Sequence, residues 1–457
     1  MKNSMKIITT SVKDNKFFEK TEIKTGNLPQ NHENSIINIF DEVKYQSVIG
    51  FGGAFTDSAA YNYSLMSDKN KELVIKAYFD KKDGIAYNFG RTHINACDFA
   101  IEPYTYVKDG DKTLESFDIA YDKKHIIPFL KDALKCADGE IMLFASPWSP
   151  PAYMKDNKSV FKGGKLLDEY KEAWAHYYAK YIKAMKSEGI CISAVSIQNE
   201  PLAIQSWESC QYTPEEEAEF AEKYLIPALD SEGLSDIKII IWDHNKERVY
   251  DRAKKILRSP TLNERVWGVG HHWYSGDHFD GVRLVYEVLG KEALCTEFCS
   301  GIYDDPLFIA ERYAREICEN LNNHMSASCD WNLILDTNGG PFHNRTSGKK
   351  PTDPEFDPKD GGCAAPILYD VENDKVILTP SYYYIGHFSK YIQRGAKRIA
   401  TTKYTDELNV CAFENPNGEK IVIILNPTDK KREAVIRHND VCTRFEADAH
   451  TISTVIF

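Results

Sequence analysis

Two glutamates stand where their surroundings give them chemical work. Glu200 ends the segment AVSIQNEP (194–201), in which residues 192–197 are apolar and β-branched enough for a buried parallel strand. Pro201 lacks the N–H needed to extend a sheet ladder, so the strand stops at Asn199-Glu200. Glu297 closes a second apolar run, ALCTE (293–297). Carboxylates at the C-terminal ends of buried strands lie where α/β proteins place reacting groups, because the sheet fixes the backbone while the loops open to solvent. Two of them across one cleft suit glycoside hydrolysis. One is protonated to donate to the leaving oxygen, and one is ionised to attack the anomeric carbon, about 5–5.5 Å apart in retaining enzymes. The bland alternative for each is a strand-end glutamate paired with a nearby Lys or Arg.

The elements that must position this pair repeat along the chain. Apolar runs at 46–52, 84–93, 140–146, 192–198, 237–243, 266–272, 293–297 and 326–335 read as strands. Amphipathic patterns at 67–79, 125–137, 167–187, 214–231, 247–257, 279–289, 306–322 and 382–392 read as helices. Eight strand-then-helix units predict a (β/α)8 TIM barrel over 46–394, with Glu200 after the fourth strand and Glu297 at the end of the seventh. A dinucleotide-binding sheet would want GxGxxG; Gly50-Phe51-Gly52-Gly53 lacks the third glycine and is read as a tight barrel turn. Beyond Gly395 the period drops to two in LNVCAFE, KIVIILN, EAVIRH, CTRFEA and TISTVIF, predicting a β-sandwich over 395–457. Residues 1–45 are polar with short alternating segments and are expected to complete that sandwich, which is thus built from both chain ends. The loop at 344–362, rich in Pro, Gly, Asp and Lys, has the length of a functional lid.

Around the predicted barrel mouth, Trp148, Tyr153, Trp207, Trp273, Tyr274 and Trp331 offer flat apolar faces, with Tyr153 and Trp207 read as packing residues. Arg91, Asp98, Asn199, Asp243, His272 and Asn332 offer hydrogen bonds to hydroxyls. His271-His272 alternate across a strand without HExxH or an acidic ligand at a suitable offset, so His272 is read as a hydrogen-bonding group and no metal site is expected. Cys295 and Cys299 flank Glu297 without a Cys/His signature and read as packing residues.

Composition narrows the partners. The 457 residues are 42% hydrophobic and carry a net charge of −12 spread along the chain, with basic residues only in short pairs, which disfavours nucleic acid. No apolar run approaches the ~20 residues of a membrane span. Eleven scattered cysteines without metal-finger spacing, and an N-terminus without the marks of a signal peptide, lead to an expectation of a cytoplasmic protein. The oligomeric state is not legible.

The motifs GFGGAFTDSAA (50–60), SPWSPPAYMK (146–155), QNEP (198–201), HHWY (271–274), TEFC (296–299), DWNL (330–333), GGP (339–341) and GHFSK (386–390), in this order, resemble glycoside hydrolase family 30, the family of acid β-glucosidase. The resemblance implies a retaining β-glycosidase built as a barrel with an attached sandwich. It assigns Glu200 to the acid/base, Glu297 to the nucleophile and Asn199 to the amide that holds the substrate 2-hydroxyl. It also places Arg91, Asp98, Trp148, His272, Tyr274 and Trp331 around the sugar, with Asp98 and Trp148 gripping the far hydroxyls of a terminal residue. One departure is Phe342, where many relatives carry Asn after GGP. The expectation is an exo-acting β-glucosidase on a soluble β-glycoside or short oligosaccharide, needing neither metal nor organic cofactor, with Glu200 kept protonated by burial and its charged neighbour. β-Xylosidase or β-fucosidase activity on the same scaffold is the alternative, and a non-catalytic carbohydrate-binding barrel is the alternative from another class.

Overall fold

Eight parallel strands close a barrel in chain order: Gly50–Ala54, Phe89–Ile94, Met142–Pro147, Ile192–Ser196, Lys238–Asn245, Val266–His272, Glu292–Glu297 and Met325–Asn332, the last pairing back onto the first. This is a computed structural model that describes residues 4–343 and 362–457; apart from Gly362, the loop expected at 344–362 lies outside the described residues. Phe89, Phe144, Ala194, Ile240, Leu294, Ala327 and Cys329 point inward from the strands and fill the barrel, so it is a packed core and not a pore.

The glycines read as a turn lie instead within the first strand. A Cβ on Gly52 would meet the Phe89 carbonyl oxygen at 1.5 Å, so the first two strands approach as closely as they do only because Gly52 has none. The run read as one strand at 326–335 is two: the eighth barrel strand ends at Asn332, and Ile334–Asp336 leaves to join a small sheet with Ile367–Asp370 and Lys375–Leu378. Helices occupy the expected crossovers, with local signals that explain their ends. Thr213 and Glu216 form a reciprocal capping box at Pro214–Phe220, and Asp305 caps Pro306–Asn322. A further helix, Asp57–Leu65, follows the first strand, capped by Thr56. Among the described residues no helix is long and apolar enough to cross a membrane.

The second body is a nine-stranded sheet folded on itself. Ser4–Ser11 pairs antiparallel with Thr451–Ile456, while Ile36–Ser47 lies between Arg432–His438 and Lys397–Lys403, a strand not read from the sequence. Ile37, Ile39, Ile399, Val410, Val422, Ile424, Ile436 and Val455 face each other across its interior. At the seam with the barrel, His387 of Pro380–Ser389 is fully buried, with Nδ1 2.8 Å from Thr454 Oγ1 and Nε2 2.9 Å from Thr10 Oγ1. Burial alone drives its pKa down to about 3.

Candidate active site

The ends of the fourth and fifth barrel strands curl tightly at the mouth. Glu200 has φ +48° and Asp243 φ +54°, both in the left-handed region that L-residues seldom occupy, and the Glu200 N–H donates to the Asp243 carbonyl at 3.0 Å. Each such residue costs about 1–3 kcal/mol, a strain that persists where the surroundings hold it and that gathers at functional sites.

Asp243 is the hub of what these turns assemble. Its Oδ2 accepts from Arg91 Nη2 (2.9 Å), Ser146 (3.0 Å) and Ser196 (2.6 Å), and its Oδ1 lies 3.1 Å from His272 Nε2. Burial opposes its ionisation, but Arg91 and His272 outweigh it and hold the carboxyl far below the usual range. Arg91, itself wholly buried, also donates to Asn199 Oδ1 (2.8 Å) and to Glu297 Oε2 (2.6 Å). The Tyr274 hydroxyl donates to the other oxygen of Glu297 at 2.9 Å.

Between the two glutamates stands one imidazole nitrogen. His272 Nδ1 lies 3.2 Å from Glu200 Oε1 and 3.9 Å from Glu297 Oε1. These two oxygens are therefore no further apart than the sum of those distances, which leaves out most of the 6.5–9.5 Å or so that inverting enzymes use. Burial would depress His272, but Glu297 and the hydrogen bonds to Asp243 and Glu200 raise its pKa to about 10. It is an imidazolium at neutral pH.

Burial pushes both glutamates up. For Glu200 the His272 hydrogen bond and the charges of His244 and His272 prevail, so its carboxyl lies below its ordinary range; for Glu297 burial prevails over His272 and Arg91. This corrects the expectation that burial and a charged neighbour keep Glu200 protonated, since the neighbour that touches it is a cation. The hydrogen bonds suit Glu297 as a carboxylate all the same: a guanidinium donates to one oxygen and a phenol to the other, the arrangement that favours the ionised form.

The remaining candidates line the same cleft. Trp148 and Trp331 stack at 5.2 Å, and the Arg91 guanidinium lies over both rings, at 4.6 and 5.4 Å. Asp98 keeps a buried Oδ1 without a hydrogen-bond partner, and burial together with the charges of Glu297, Glu200 and Glu208 pushes its pKa well above normal. Trp207, read as packing, lies against the Trp148–Trp331 cluster. Trp273, read as a cleft aromatic, is instead packed between Phe298 and Tyr313 with Arg312 over its ring. Tyr153 donates to the Asp111 carbonyl, and Asn332 accepts from Thr56 at 2.6 Å, so both hold loops.

Spacing missed Glu208 and His343, whose 3.3 Å pair joins the loops after the fourth and eighth strands, and His244, whose Nδ1 faces Glu200 Oε1 at 3.6 Å. Glu200, His244 and His272 each offer a ligand atom, all within 4.8 Å of one another, the one such group among the described residues that could hold a metal ion.

The Glycosyl hydrolase family 30 TIM-barrel domain matches residues 48–392, and the family's beta sandwich domain matches 395–455. The chain belongs to glycoside hydrolase family 30. Among family relatives, the lysosomal acid glucosylceramidase of Mus musculus is 29% identical over 92% of this chain and 83% of its own. SrfJ of Salmonella typhimurium superposes with a TM-score of 0.93 at 30% identity, covering 99% of both chains. An endo-beta1,6-glucanase superposes with a TM-score of 0.86 at 26% identity, again over 99% of both. As a family 30 member the chain is a glycoside hydrolase acting on a carbohydrate substrate.

Proposed function

We propose that the enzyme is an exo-acting, retaining β-glucosidase, similar in glycone choice to the glucosylceramidases, with Glu297 as nucleophile and Glu200 as acid/base. The observation that carries this reading is the single imidazole nitrogen flanked by two carboxylates from opposite sides of the barrel. Glu297, held ionised by Arg91 and Tyr274, attacks the anomeric carbon. Glu200 and His272 share one exchangeable proton across 3.2 Å. In the empty cleft it rests on His272; when the substrate displaces water, the dry site favours the neutral carboxylic acid and neutral imidazole over two charges, and Glu200 protonates the leaving oxygen. His272 Nε2 keeps its hydrogen bond to Asp243 throughout. Water then attacks the glycosyl-enzyme ester with Glu200 as base, and the β configuration returns. Asn199, fixed by Arg91, is placed for the 2-hydroxyl, while Asp98 and the stacked tryptophans take the far side of the sugar.

Two features support exo action. The Glu208–His343 pair ties together the loops at the glycone end, and Phe342, the departure from the family pattern, packs on Phe99 at 4.9 Å, which stands edge-on to Trp331. β-Xylosidase and β-fucosidase action remain alternatives within the same mechanism, because one CH2OH is worth only about 1–3 kcal/mol in a pocket. The likeness to endo-β-1,6-glucanases gives a second reading, cleavage inside a β-1,6-glucan chain. A cytoplasmic location is part of the proposal and rests on eleven cysteines, all of them free.

The test uses 4-nitrophenyl β-glucoside, β-xyloside, β-galactoside and β-fucoside, together with a β-1,6-glucan. Preferential release from the glucoside, and release of glucose alone from the glucan, support the reading; oligosaccharides from the glucan with no aryl glycoside cleaved support the endo reading. Glu297→Ala should lose about four orders of magnitude in turnover, and added azide should give an α-glycosyl azide. Glu200→Ala with azide should give the β-azide, and the opposite pairing of azides would reverse the two roles.

A further inference from the structure

Spacing along one strand gave no reason to expect a metal ion, yet three neighbouring strands bring a ligand set together. We propose that Glu200, His244 and His272 form a binding site for one divalent transition-metal ion of the zinc class, and that the bound ion shuts the enzyme off by occupying its acid/base. The binding stands on geometry alone; the inhibition rests on the proposed role of Glu200.

Glu200 follows the fourth strand, His244 lies on the fifth and His272 ends the sixth, so the three meet at adjacent strand ends. Glu200 Oε1 is 3.2 Å from His272 Nδ1 and 3.6 Å from His244 Nδ1, and all three ligand atoms lie within 4.8 Å of one another. A tetrahedral zinc with bonds of about 2.0–2.2 Å sets its ligands about 3.3–3.6 Å apart. Two of the three edges of that face therefore already exist, and the third is no longer than 4.8 Å. The donor set of two imidazoles and one carboxylate suits zinc and its neighbours and not calcium or magnesium, which require oxygen shells.

Two further observations point at an ion. His244 Nδ1 is buried and has no hydrogen-bond partner, although it faces a carboxylate. His272 Nε2 lies 3.1 Å from Asp243 Oδ1, the outer carboxylate contact that fixes the tautomer of metal-bound histidines and leaves Nδ1 as the ligand atom. Binding releases the Nδ1 proton of His272 to solvent, so the ion competes with that proton for the nitrogen. His271, the other half of the sequence pair, takes no part: its ring is buried with neither nitrogen hydrogen-bonded.

A metal at Glu200 Oε1 removes the carboxyl that must protonate the leaving group, so the ion and a productive substrate exclude each other. This differs from a catalytic metal, which occupies a site that chelators disable.

The experiment titrates Zn2+ against a chromophoric chelator in the presence of the full chain, for wild type, His244→Asn and Glu200→Gln, and follows aryl-glycoside hydrolysis in parallel for wild type. The expected result is one zinc per chain, at least tenfold weaker in both variants, with wild-type hydrolysis inhibited by zinc and restored by EDTA. Co2+ in place of zinc should give the intense visible absorption of a tetrahedral site. Affinity unchanged in both variants, or equal affinity for Ca2+, overturns the site. Activity lost on chelation overturns the inhibitory role. Zinc binding that depends on His244 and Glu200, in a protein that cleaves none of the aryl glycosides, sustains the metal site and removes the exo-acting β-glucosidase reading instead.

Discussion

Two of the completely buried histidines, His272 and His387, are treated in opposite ways. His272, at the barrel mouth, has both ring nitrogens against carboxylates, and its pKa rises to about 10 although burial opposes it. His387, at the seam between barrel and sandwich, has both against threonine hydroxyls, and its pKa falls to about 3. Burial pushes the two in the same direction, so the difference lies in what faces them. The mouth concentrates charge that a reaction can use, whereas the seam holds two bodies together with neutral hydrogen bonds that carry no charge to be lost or gained near neutrality.

The largest test of this contrast is Arg91→Met. It leaves Asp243, Glu297 and Asn199 without the donor they share, and removing one partner of a buried ion pair costs about 3–5 kcal/mol. Denaturant unfolding should show that loss together with loss of turnover. A stability within 1 kcal/mol or so of wild type would mean that the mouth is not organised by charge pairing.

The next effect is on acid stability and has opposite signs at the two sites. A histidine whose folded pKa lies below its ordinary 6.5 gives stability that is present above pH 6.5 and drains away as pH falls towards 3, at up to about 1.4 kcal/mol per unit. His272, with its folded pKa raised, instead contributes stability that is full below 6.5 and lost as pH climbs towards 10. His387→Gln, which can still bond both threonines, should flatten the slope of unfolding free energy between pH 6 and 4. An unchanged slope would place the acid sensitivity elsewhere.

The smallest effect is kinetic. His272 holds Glu200 down through its hydrogen bond and charge, so His272→Asn should let the Glu200 carboxyl rise. Glu200 is then the only group of the pair left to carry the proton that His272 holds up to about pH 10, so the alkaline limb of the kcat/KM profile should move to lower pH, on top of a lower maximum. An unmoved limb, or movement towards higher pH, would contradict the shared proton.

Much of this was legible from residues. The two strand-end glutamates, the order of the eight strands and the aromatic lining follow from apolar runs stopped by Pro201 and from motif order. The helix Asp57–Leu65 was not, because Asp57, Ser58, Ala59, Ala60, Asn62 and Tyr63 are all buried and leave no polar face to mark a period. The small sheet was hidden because Ile334–Asp336 finds its partner more than thirty residues away, and Lys397–Lys403 because its Thr and Lys content hides the alternation. Asp243 could be named as a rim residue but not as the hub, since its partners Arg91, Ser146, Ser196 and His272 come from four other strands. The same limit hid His244: a ligand set spread over three strands has no spacing to read.

The pairing of Ser4–Ser11 with Thr451–Ile456 also bears on how the protein is made. At about 5–20 residues per second, a ribosome finishes the first strand roughly tens of seconds before it supplies the strand that completes its sheet. Throughout that interval the barrel can be assembled, while the early strand keeps an unpaired edge open to other chains. Lys6, exposed near one end of this ladder, puts a positive charge on the waiting strand that a second nascent copy of the same edge would repel. The clasp that finishes the sandwich is thus made only once the whole barrel has been synthesised.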